Sequence, residues 1–310
     1  MTLNFYFYSS VTIAMHAFIV CAFAQEPIPE RRRALPLPLG VSLESQCGAV
    51  DDLQHVETYN ETLGVKKSYV QGHEASTVQL QWIDEKAITR RLKGHSPGNI
   101  QKVRWCSGTL FGVNHVLTAG HCFDIQDGSD YYVTPYALDK DGNTVYALPE
   151  ALAPLQVVNF RYQKNAATGS IRSPDVYPIL KLKEHRRGNL DYGIVELGRN
   201  ANGKLPGETY SSEIVDARLT IKGELLALIQ HPHGDPKKIE AGSAFEVRES
   251  ALYYNDIDTH GGSSGAGVRD KDGKVIGVHT NAGCSKNPKN IGANKGVPAS
   301  AIAKFSDFFK

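Results

Sequence analysis

Short apolar stretches alternate with turn residues from about residue 60 to the C-terminus, a pattern typical of β-strands. Asp-Gly pairs at 127–128, 141–142 and 272–273 and the Asn-Gly pair at 202–203 supply hairpin turns. Strands this short and numerous predict an all-β fold with antiparallel pairing, in a barrel or a sandwich. The predicted strands are 105–111, 115–118, 131–136, 144–148, 155–160, 192–197, 224–229, 244–247 and 275–279.

The C-terminus departs from this pattern. Ile302, Phe305, Phe308 and Phe309 recur at roughly helical spacing after Pro298, which predicts one terminal helix packed on the β body. The sequence contains no Gly-rich dinucleotide fingerprint, no P-loop and no repeat of 20–50 residues. We therefore expect no cofactor.

The N-terminal segment predicts export. Residues 1–24 contain no charged side chain, and their apolar stretch 11–24 ends in a small-x-small pattern, so we interpret 1–24 as a signal peptide. The alternative is a membrane anchor, but this stretch is shorter than the ~20 residues that span a bilayer. Residues 25–64 predict a linker or propeptide, because the segment opens with several prolines and the run Arg31-Arg32-Arg33.

Composition excludes some partners and frames the cysteines. With 41% hydrophobic residues, 22% charged residues and a formal net charge of +1, the chain is globular and shows no global field for nucleic acid or an anionic membrane. We expect a secreted monomer, extracellular or periplasmic. Signal removal takes Cys21 away, and an even set in an exported chain suggests disulfides. The remaining cysteines allow three pairings: they are Cys47, Cys106, Cys122 and Cys284.

Three segments carry candidate chemistry. In the first, a strand ends in Thr-Ala-Gly and is followed by His121 and Cys122, so a Cys106–Cys122 bridge would hold the loop that presents the histidine. In the second, Asp191 directly precedes an apolar strand, where a carboxylate can orient a histidine or simply cap a turn.

The third segment, 258–268, is rich in glycine and serine. Acyl transfer needs an exposed hydroxyl beside backbone N–H groups that converge on the developing oxyanion, and glycines permit the tight turn that arranges them. Gly262 and Ser264 are the natural donors. Gly-Gly-Ser-Ser-Gly also matches the α/β-hydrolase elbow with Ser263 at its centre, but that fold needs its acid and histidine after the serine.

In this chain order the three segments resemble the chymotrypsin-like serine peptidases over about residues 65–309. The resemblance implies that Ser264 is the nucleophile, His121 the general base and Asp191 the group that orients it, with the N–H groups of Gly262 and Ser264 as the oxyanion hole. It also implies two antiparallel six-stranded β-barrels. We expect the first at 65–185, carrying His121, and the second at 186–310, carrying Ser264 and the C-terminal helix.

The substrate pocket resembles that of the V8-like glutamyl endopeptidases. The resemblance implies that His279 and Thr259 bind a Glu or Asp side chain before the scissile bond, with Ser263 as a further donor at the rim. Asp258 stands where trypsin-type enzymes keep the carboxylate that binds Arg or Lys, so that specificity is the alternative. An imidazole and a hydroxyl can both donate hydrogen bonds to a carboxylate, which favours the preference for Glu or Asp.

Remaining features set further expectations. The residue before the nucleophile is Ser263 rather than the Asp used for activation in digestive relatives, so we expect any activation to remove a segment within 25–70. Cys47 and Cys284 remain as the second disulfide pair. His231 and His233 lack a third metal ligand at meaningful spacing, so no metal is expected. The alternative to a peptidase is a non-catalytic binding module on the same fold. For the peptidase, the expected partners are protein and peptide substrates.

Overall fold

The computed structural model describes residues 45–124, 132–285 and 292–309, so the predicted signal peptide and most of the segment 25–64 lie outside the described residues. Numbered along the described chain, the strands are β1 Gln54–His55, β2 Thr77–Trp82, β3 Arg104–Phe111, β4 His115–Thr118, β5 Tyr136–Leu138, β6 Thr144–Tyr146, β7 Gln156–Phe160, β8 Asp175–Arg186, β9 Tyr192–Leu197, β10 Leu225–Gln230, β11 Lys238–Ser243, β12 Glu246–Arg248, β13 Ala251–Tyr254, β14 Gly267–Arg269, β15 Val275–Asn281 and β16 Asn294–Pro298.

Helices are short and connect strands. The α-helices within the described residues are α1 Lys67–His73, α2 Glu85–Arg91, α3 Pro149–Leu152 and α4 Ala299–Ile302. Single 3-10 turns lie at Val56–Thr58, Glu74–Ser76, Gly120–Phe123, Ala153–Leu155, Gly188–Leu190, Pro206–Glu208 and Pro232–Gly234. None of the helices in the described ranges has the length and apolar character required to cross a membrane.

The first half forms a closed six-stranded antiparallel barrel in the order β2-β3-β4-β9-β8-β7, which confirms the predicted architecture for this half. Its interior is filled by apolar side chains from all six strands, among them Leu80, Leu110 and Val195. The boundary expected at 185 is wrong, because it falls inside β8 and β9 also belongs to this barrel. β9 pairs with both β4 and β8, and that double pairing closes the barrel.

The second half forms an eight-stranded antiparallel sheet in the order β1-β11-β10-β14-β15-β16-β13-β12. It curves around its own apolar core, which includes Leu228, Leu252 and Ile276. The predicted two-barrel architecture is therefore confirmed, and the second barrel has the form of a half-barrel with eight strands instead of six. At one edge of this sheet, the short strand β1 pairs with Lys238 and Ile239 of β11. The segment 45–64, expected to be a linker, is thus part of the folded body from Ser45 onward.

A third apolar cluster joins the two halves. Phe111, Leu117 and Ile194 of the barrel pack against Val278 and Val297 of the sheet. The ends of β4, β9 and β15 meet along this junction, which places the three candidate segments beside one another.

The C-terminal helix is shorter than predicted. It ends at Ile302, and the Ser306 hydroxyl then accepts a hydrogen bond from the Phe308 N–H at 3.1 Å, so the chain turns instead of continuing. Phe308 and Phe309 still pack on the body, with ring centroids 5.8 Å and 5.1 Å from that of Phe111. Likewise, the strand predicted at 131–136 is wrong for 132–135, since β5 begins at Tyr136, while residue 131 lies outside the described residues.

Candidate active site

His121 lies in the 3-10 turn that follows β4 and is fully buried. The turn is held to β3 by the predicted Cys106–Cys122 disulfide, whose Cα atoms are 6.2 Å apart. Gly120 must be glycine here, because a Cβ would lie 2.0 Å from the Arg186 carbonyl oxygen. The loop that carries the imidazole is therefore fixed on both sides.

Asp191 precedes β9 and binds His121 twice. Its Oδ2 lies 2.6 Å from His121 Nδ1, and its Oδ1 accepts the His121 backbone N–H at 2.8 Å. Burial alone would raise the pKa of Asp191, but the His121 ring and the Arg187 guanidinium outweigh it and hold this pKa at about 2. The carboxylate is therefore ionised at neutral pH and fixes His121 with Nδ1–H toward it.

Arg187 was not singled out from the sequence, yet it contacts Asp191. Its Nη1 donates to Asp191 Oδ1 at 3.1 Å, and its Nε lies 2.9 Å from Asp124 Oδ1. Burial raises the pKa of Asp124 against the opposing charge of Arg187. No motif signals such a pair, because the bridging arginine lies in a turn that only the fold brings beside Asp124.

The turn carrying Ser264 is shaped by two glycines in the left-handed region, Gly262 at φ 97° and Gly265 at φ 88°. A Cβ on Gly265 would lie 2.1 Å from Thr118 Oγ1, so only glycine lets the turn approach the strand that leads to His121. The Ser264 carbonyl accepts the Ser107 N–H at 2.8 Å, and the Ser107 hydroxyl donates to the Gly262 carbonyl at 2.8 Å. Ser107 thus fastens the turn to the barrel.

Several groups of this turn remain available for a ligand. Among the described residues, no backbone acceptor pairs with the N–H of Gly262 or Ser264, and no partner is bonded to Ser264 Oγ. His121 Nε2 is buried and likewise lacks a partner within the described ranges. A serine–histidine hydrogen bond often forms only when substrate binds, so its absence here does not conflict with a catalytic role.

His279 in β15 lies beside the same turn, since its carbonyl accepts the Gly265 N–H at 2.8 Å. Its Nδ1 is hydrogen-bonded to the Tyr254 hydroxyl, and its Nε2 is buried without a partner in the described part of the chain. Burial, with a smaller effect of His121, lowers the pKa of His279 to about 3, so the ring is neutral at pH 7. Thr259 Oγ1 is also buried and unpartnered among those residues.

The other two predicted pocket residues, Ser263 and Asp258, are hydrogen-bonded within the protein. Ser263 is fully buried, and its hydroxyl accepts the His260 N–H at 3.1 Å, so it braces the turn and does not stand at a rim. Asp258 Oδ1 accepts the Cys47 N–H at 2.6 Å, next to the predicted Cys47–Cys284 disulfide. Burial raises the pKa of Asp258 to about 6. Its carboxylate therefore faces the N-terminal segment through at least one oxygen.

Comparison with known proteins agrees with this geometry. The family described as "Trypsin-like peptidase domain" matches residues 106–278, more than half of the chain. The chain belongs to this family. The match of this trypsin-like peptidase begins at Cys106 and extends to Val278, so it contains all three candidate segments. A search of curated proteins found no match.

The trypsin-like peptidase was also compared with solved structures, and one of them supports the expected fold. A Glu endopeptidase solved in complex with MPD aligns with a TM-score of 0.51 and 17% identity, covering 83% of this chain and 95% of that chain. A serine endoprotease from Yersinia pestis aligns with a TM-score of 0.45 and 12% identity, covering 76% and 63% of the two chains. The first likeness confirms the chymotrypsin-like fold recognised in the sequence.

Proposed function

We propose that this trypsin-like peptidase is an exported serine endopeptidase that cleaves peptide bonds after Glu or Asp. The observation that carries the proposal is the buried Asp191–His121 pair, whose free Nε2 belongs to the same junction as the Ser264 turn. An imidazole oriented by an ionised carboxylate is the general base that a serine nucleophile requires.

In the first step, Ser264 Oγ attacks the carbonyl carbon of the scissile bond, and His121 Nε2 accepts the hydroxyl proton. The carbonyl oxygen gains the negative charge, and the N–H groups of Gly262 and Ser264 donate to it. Asp191 stabilises the imidazolium that forms. When the tetrahedral intermediate collapses, the C–N bond breaks, and His121 returns the proton to the leaving amine.

In the second step, water attacks the acyl-enzyme ester while His121 takes one of its protons. Collapse of the second tetrahedral intermediate releases the carboxylic acid product and returns the proton to Ser264. The same oxyanion donors serve both steps, and loss of one such donor typically costs about 10²–10³ in kcat.

The preference for Glu or Asp rests on His279 and Thr259. Burial raises the pKa of Tyr254 well above its usual value, so its hydroxyl keeps its proton and donates to His279 Nδ1. The neutral ring then carries its own proton on Nε2. This nitrogen can therefore donate to a ligand group that only accepts hydrogen bonds. Together with the Thr259 hydroxyl, this pair suits a carboxylate better than a cationic side chain.

Cleavage of a peptide series that varies only the residue before the scissile bond tests both parts. We expect cleavage after Glu well above that after Gln, and complete loss in Ser264→Ala. Equal cleavage after Glu and Gln would contradict the pocket assignment, and cleavage after Arg or Lys would move specificity to Asp258. Activity that survives in Ser264→Ala would remove the nucleophile.

A non-catalytic binding module is the competing proposal from another class. Covalent labelling by an organophosphonate separates the two, because the reagent reacts with an activated serine and not with an ordinary one. Labelling that is lost in both Ser264→Ala and His121→Ala supports the enzyme.

We also propose that the protein is exported and that its N-terminal segment is removed. The two disulfides suit an oxidising compartment. Ser45 exchanges backbone hydrogen bonds with Thr259, and Cys47 is covalently attached to the sheet, so a segment removed without disturbing the body would end before Ser45. N-terminal sequencing of secreted, active protein is expected to find its first residue within 25–45; an N-terminus beyond Cys47 would contradict this.

A further inference from the structure

Three carboxylates from distant parts of the chain meet at one cluster. Asp52 comes from the N-terminal segment, Glu240 from β11, and Asp258 from the residue before Thr259. One oxygen from each lies within 4.8 Å of the other two. Asp52 is exposed, whereas the other two side chains are buried, so the cluster has one side open to solvent.

Each buried carboxylate has one oxygen satisfied and one free. Glu240 Oε1 accepts the Ala241 N–H at 3.1 Å, and Asp258 Oδ1 accepts the Cys47 N–H at 2.6 Å. Glu240 Oε2 and Asp258 Oδ2 are buried without a hydrogen-bond partner among the described residues. A buried oxygen left in this state is costly unless a proton or a cation occupies the space in front of it.

The side-chain oxygen of Gln230 is also buried without a partner among the described residues. Gln230 Nε2 donates to the Asp258 carbonyl at 2.9 Å, while Gln230 Oε1 is buried and unpartnered within the described ranges. Gln230 is opposite Lys238 in the β10–β11 ladder, so Gln230 and Glu240 are on the same face of the sheet. The Gln230 side chain therefore lies against the backbone of Asp258, on the face of the sheet that carries Glu240.

The cluster has no cationic partner among the residues that the structure describes. Within the described part of the chain, none of the three carboxylates forms an ion pair with Lys, Arg or His, whereas the adjacent Asp51 pairs with His260 at 3.3 Å. Carboxylate oxygens this close repel one another unless a proton or a cation lies between them.

We propose that Asp52, Glu240 and Asp258 form a calcium site. Oxygen ligands bind Ca²⁺ at about 2.3–2.6 Å, so two ligands on opposite sides of the ion are up to about 5 Å apart, which accommodates the observed cluster. Gln230 Oε1 and water from the open side supply further oxygen ligands. Mg²⁺ fits less well, because it requires a tighter octahedron and retains most of its water.

The sequence analysis expected no metal. It could not find this site, because the three ligands come from segments without any metal-binding spacing and become neighbours only when β1 joins the sheet. Calcium binding ties the N-terminal segment to the residue that precedes Thr259. The site is independent of the triad, so its test does not depend on peptidase activity.

Calcium titration of the full secreted chain tests the proposal, with Ser264→Ala throughout to prevent self-digestion. We expect saturable binding of one Ca²⁺ by calorimetry, with Kd on the order of 10⁻⁴–10⁻³ M, as in many extracellular sites. Saturating Ca²⁺ is expected to raise Tm by several degrees, because a ligand that binds only the folded state stabilises it. Mg²⁺ at the same concentration is expected to raise Tm less.

The matched variants are Asp52→Asn and Asp51→Asn, which remove one surface charge each from adjacent positions. Asp52 is exposed, so its variant is expected to fold, as circular dichroism can verify. Calcium binding and the Tm increase are expected to be lost in Asp52→Asn and kept in Asp51→Asn. Absence of any calcium effect in the parent chain, meaning that the cluster holds protons only, would overturn the proposal. An equal effect in both variants would also overturn it.

Discussion

Tyr254 decides which nitrogen of His279 faces the proposed substrate carboxylate. Its hydroxyl is buried and bonded to His279 Nδ1, which leaves the proton of the neutral ring on Nε2. Without this bond, either nitrogen can carry the proton, and the tautomer that presents a bare Nε2 would repel a carboxylate. The specificity of the pocket therefore rests on a residue that need not touch the substrate.

Tyr254→Phe tests this dependence. We expect kcat/KM for Glu substrates to fall by about 10-fold, the value of one hydrogen bond to a charged group, with little change for Gln substrates. Tyr253→Phe is the matched control, because Tyr253 packs on Arg248 with 5.2 Å from Cζ to the ring centroid and is not part of the pocket. Equal losses for Glu and Gln substrates would indicate a structural role instead.

Arg187 acts on the triad through Asp191. It places a guanidinium nitrogen 3.1 Å from Asp191 Oδ1, which partly offsets the negative charge that stabilises protonated His121. In Arg187→Met this guanidinium is lost, so the pKa of Asp191 is expected to rise and kcat/KM to fall by about 10-fold, the value of one hydrogen bond to a charged group. Arg187→Lys is expected to restore most of the parent activity, because it keeps the positive charge. Equal kcat/KM in Arg187→Met and the parent would show that Arg187 does not act on the triad.

At the scale of elements, the turn 261–265 depends on close contact with the barrel. Gly265→Ala introduces a Cβ 2.2 Å from the Ser107 carbonyl oxygen, at a φ that L-residues avoid. We expect about 2–5 kcal/mol loss in the free energy of unfolding, from left-handed strain plus overpacking. A displaced Ser264 is also expected to lower kcat/KM by about 10².

The control for this variant is Gly142→Ala, in a hairpin turn. Gly142 has φ 80°, but a Cβ there would meet nothing within 4 Å, so only the left-handed strain applies. We expect about 1–2 kcal/mol loss and normal activity. Similar losses for the two variants in urea unfolding would show that the Gly265 contact relaxes easily.

The sequence predicts elements well where neighbouring residues carry the signal. Strands β3, β4 and β9 were predicted nearly to the residue, because their apolar runs are bounded by turn residues. β2 and β8 were not predicted, since their stability comes from pairing within the barrel. The helix at 299–302 was overextended, because the aromatic spacing after it reflects packing on Phe111 rather than helical continuation.

The same distinction holds for the candidate site. His121, Asp191 and Ser264 each stand in a contiguous motif, so the sequence could nominate them. Tyr254 and Arg187 act through long-range contacts that no local pattern encodes.

At the scale of the whole molecule, buried titratable groups exert opposite effects on stability. Burial first of all lowers the pKa of both His231 and His279 to about 3, so these rings remain neutral in the folded state while they accept protons in the unfolded chain below about pH 6.5. Glu240 and Asp258 have raised pKa values, so they retain protons that the unfolded chain has released. Between about pH 4.5 and 6, the two histidines and the two carboxyl groups therefore change the free energy of unfolding with pH in opposite directions, and their contributions largely cancel.

His231→Gln separates these contributions without touching the proposed catalytic residues. The His231 ring is buried, with Nδ1 2.9 Å from the Asp235 carbonyl oxygen, so the variant is expected to be less stable than the parent at pH 7.5. Because the folded-state pKa of His231 is depressed, the stability advantage of the parent is present above about pH 6.5 and declines as the pH falls toward 3. The deficit of the variant is therefore expected to shrink by about 1.4 kcal/mol per pH unit between pH 6 and 4.5. Urea unfolding of both proteins in the Ser264→Ala background at several pH values measures this difference, and a deficit that stays constant with pH would show that His231 is protonated in the folded state.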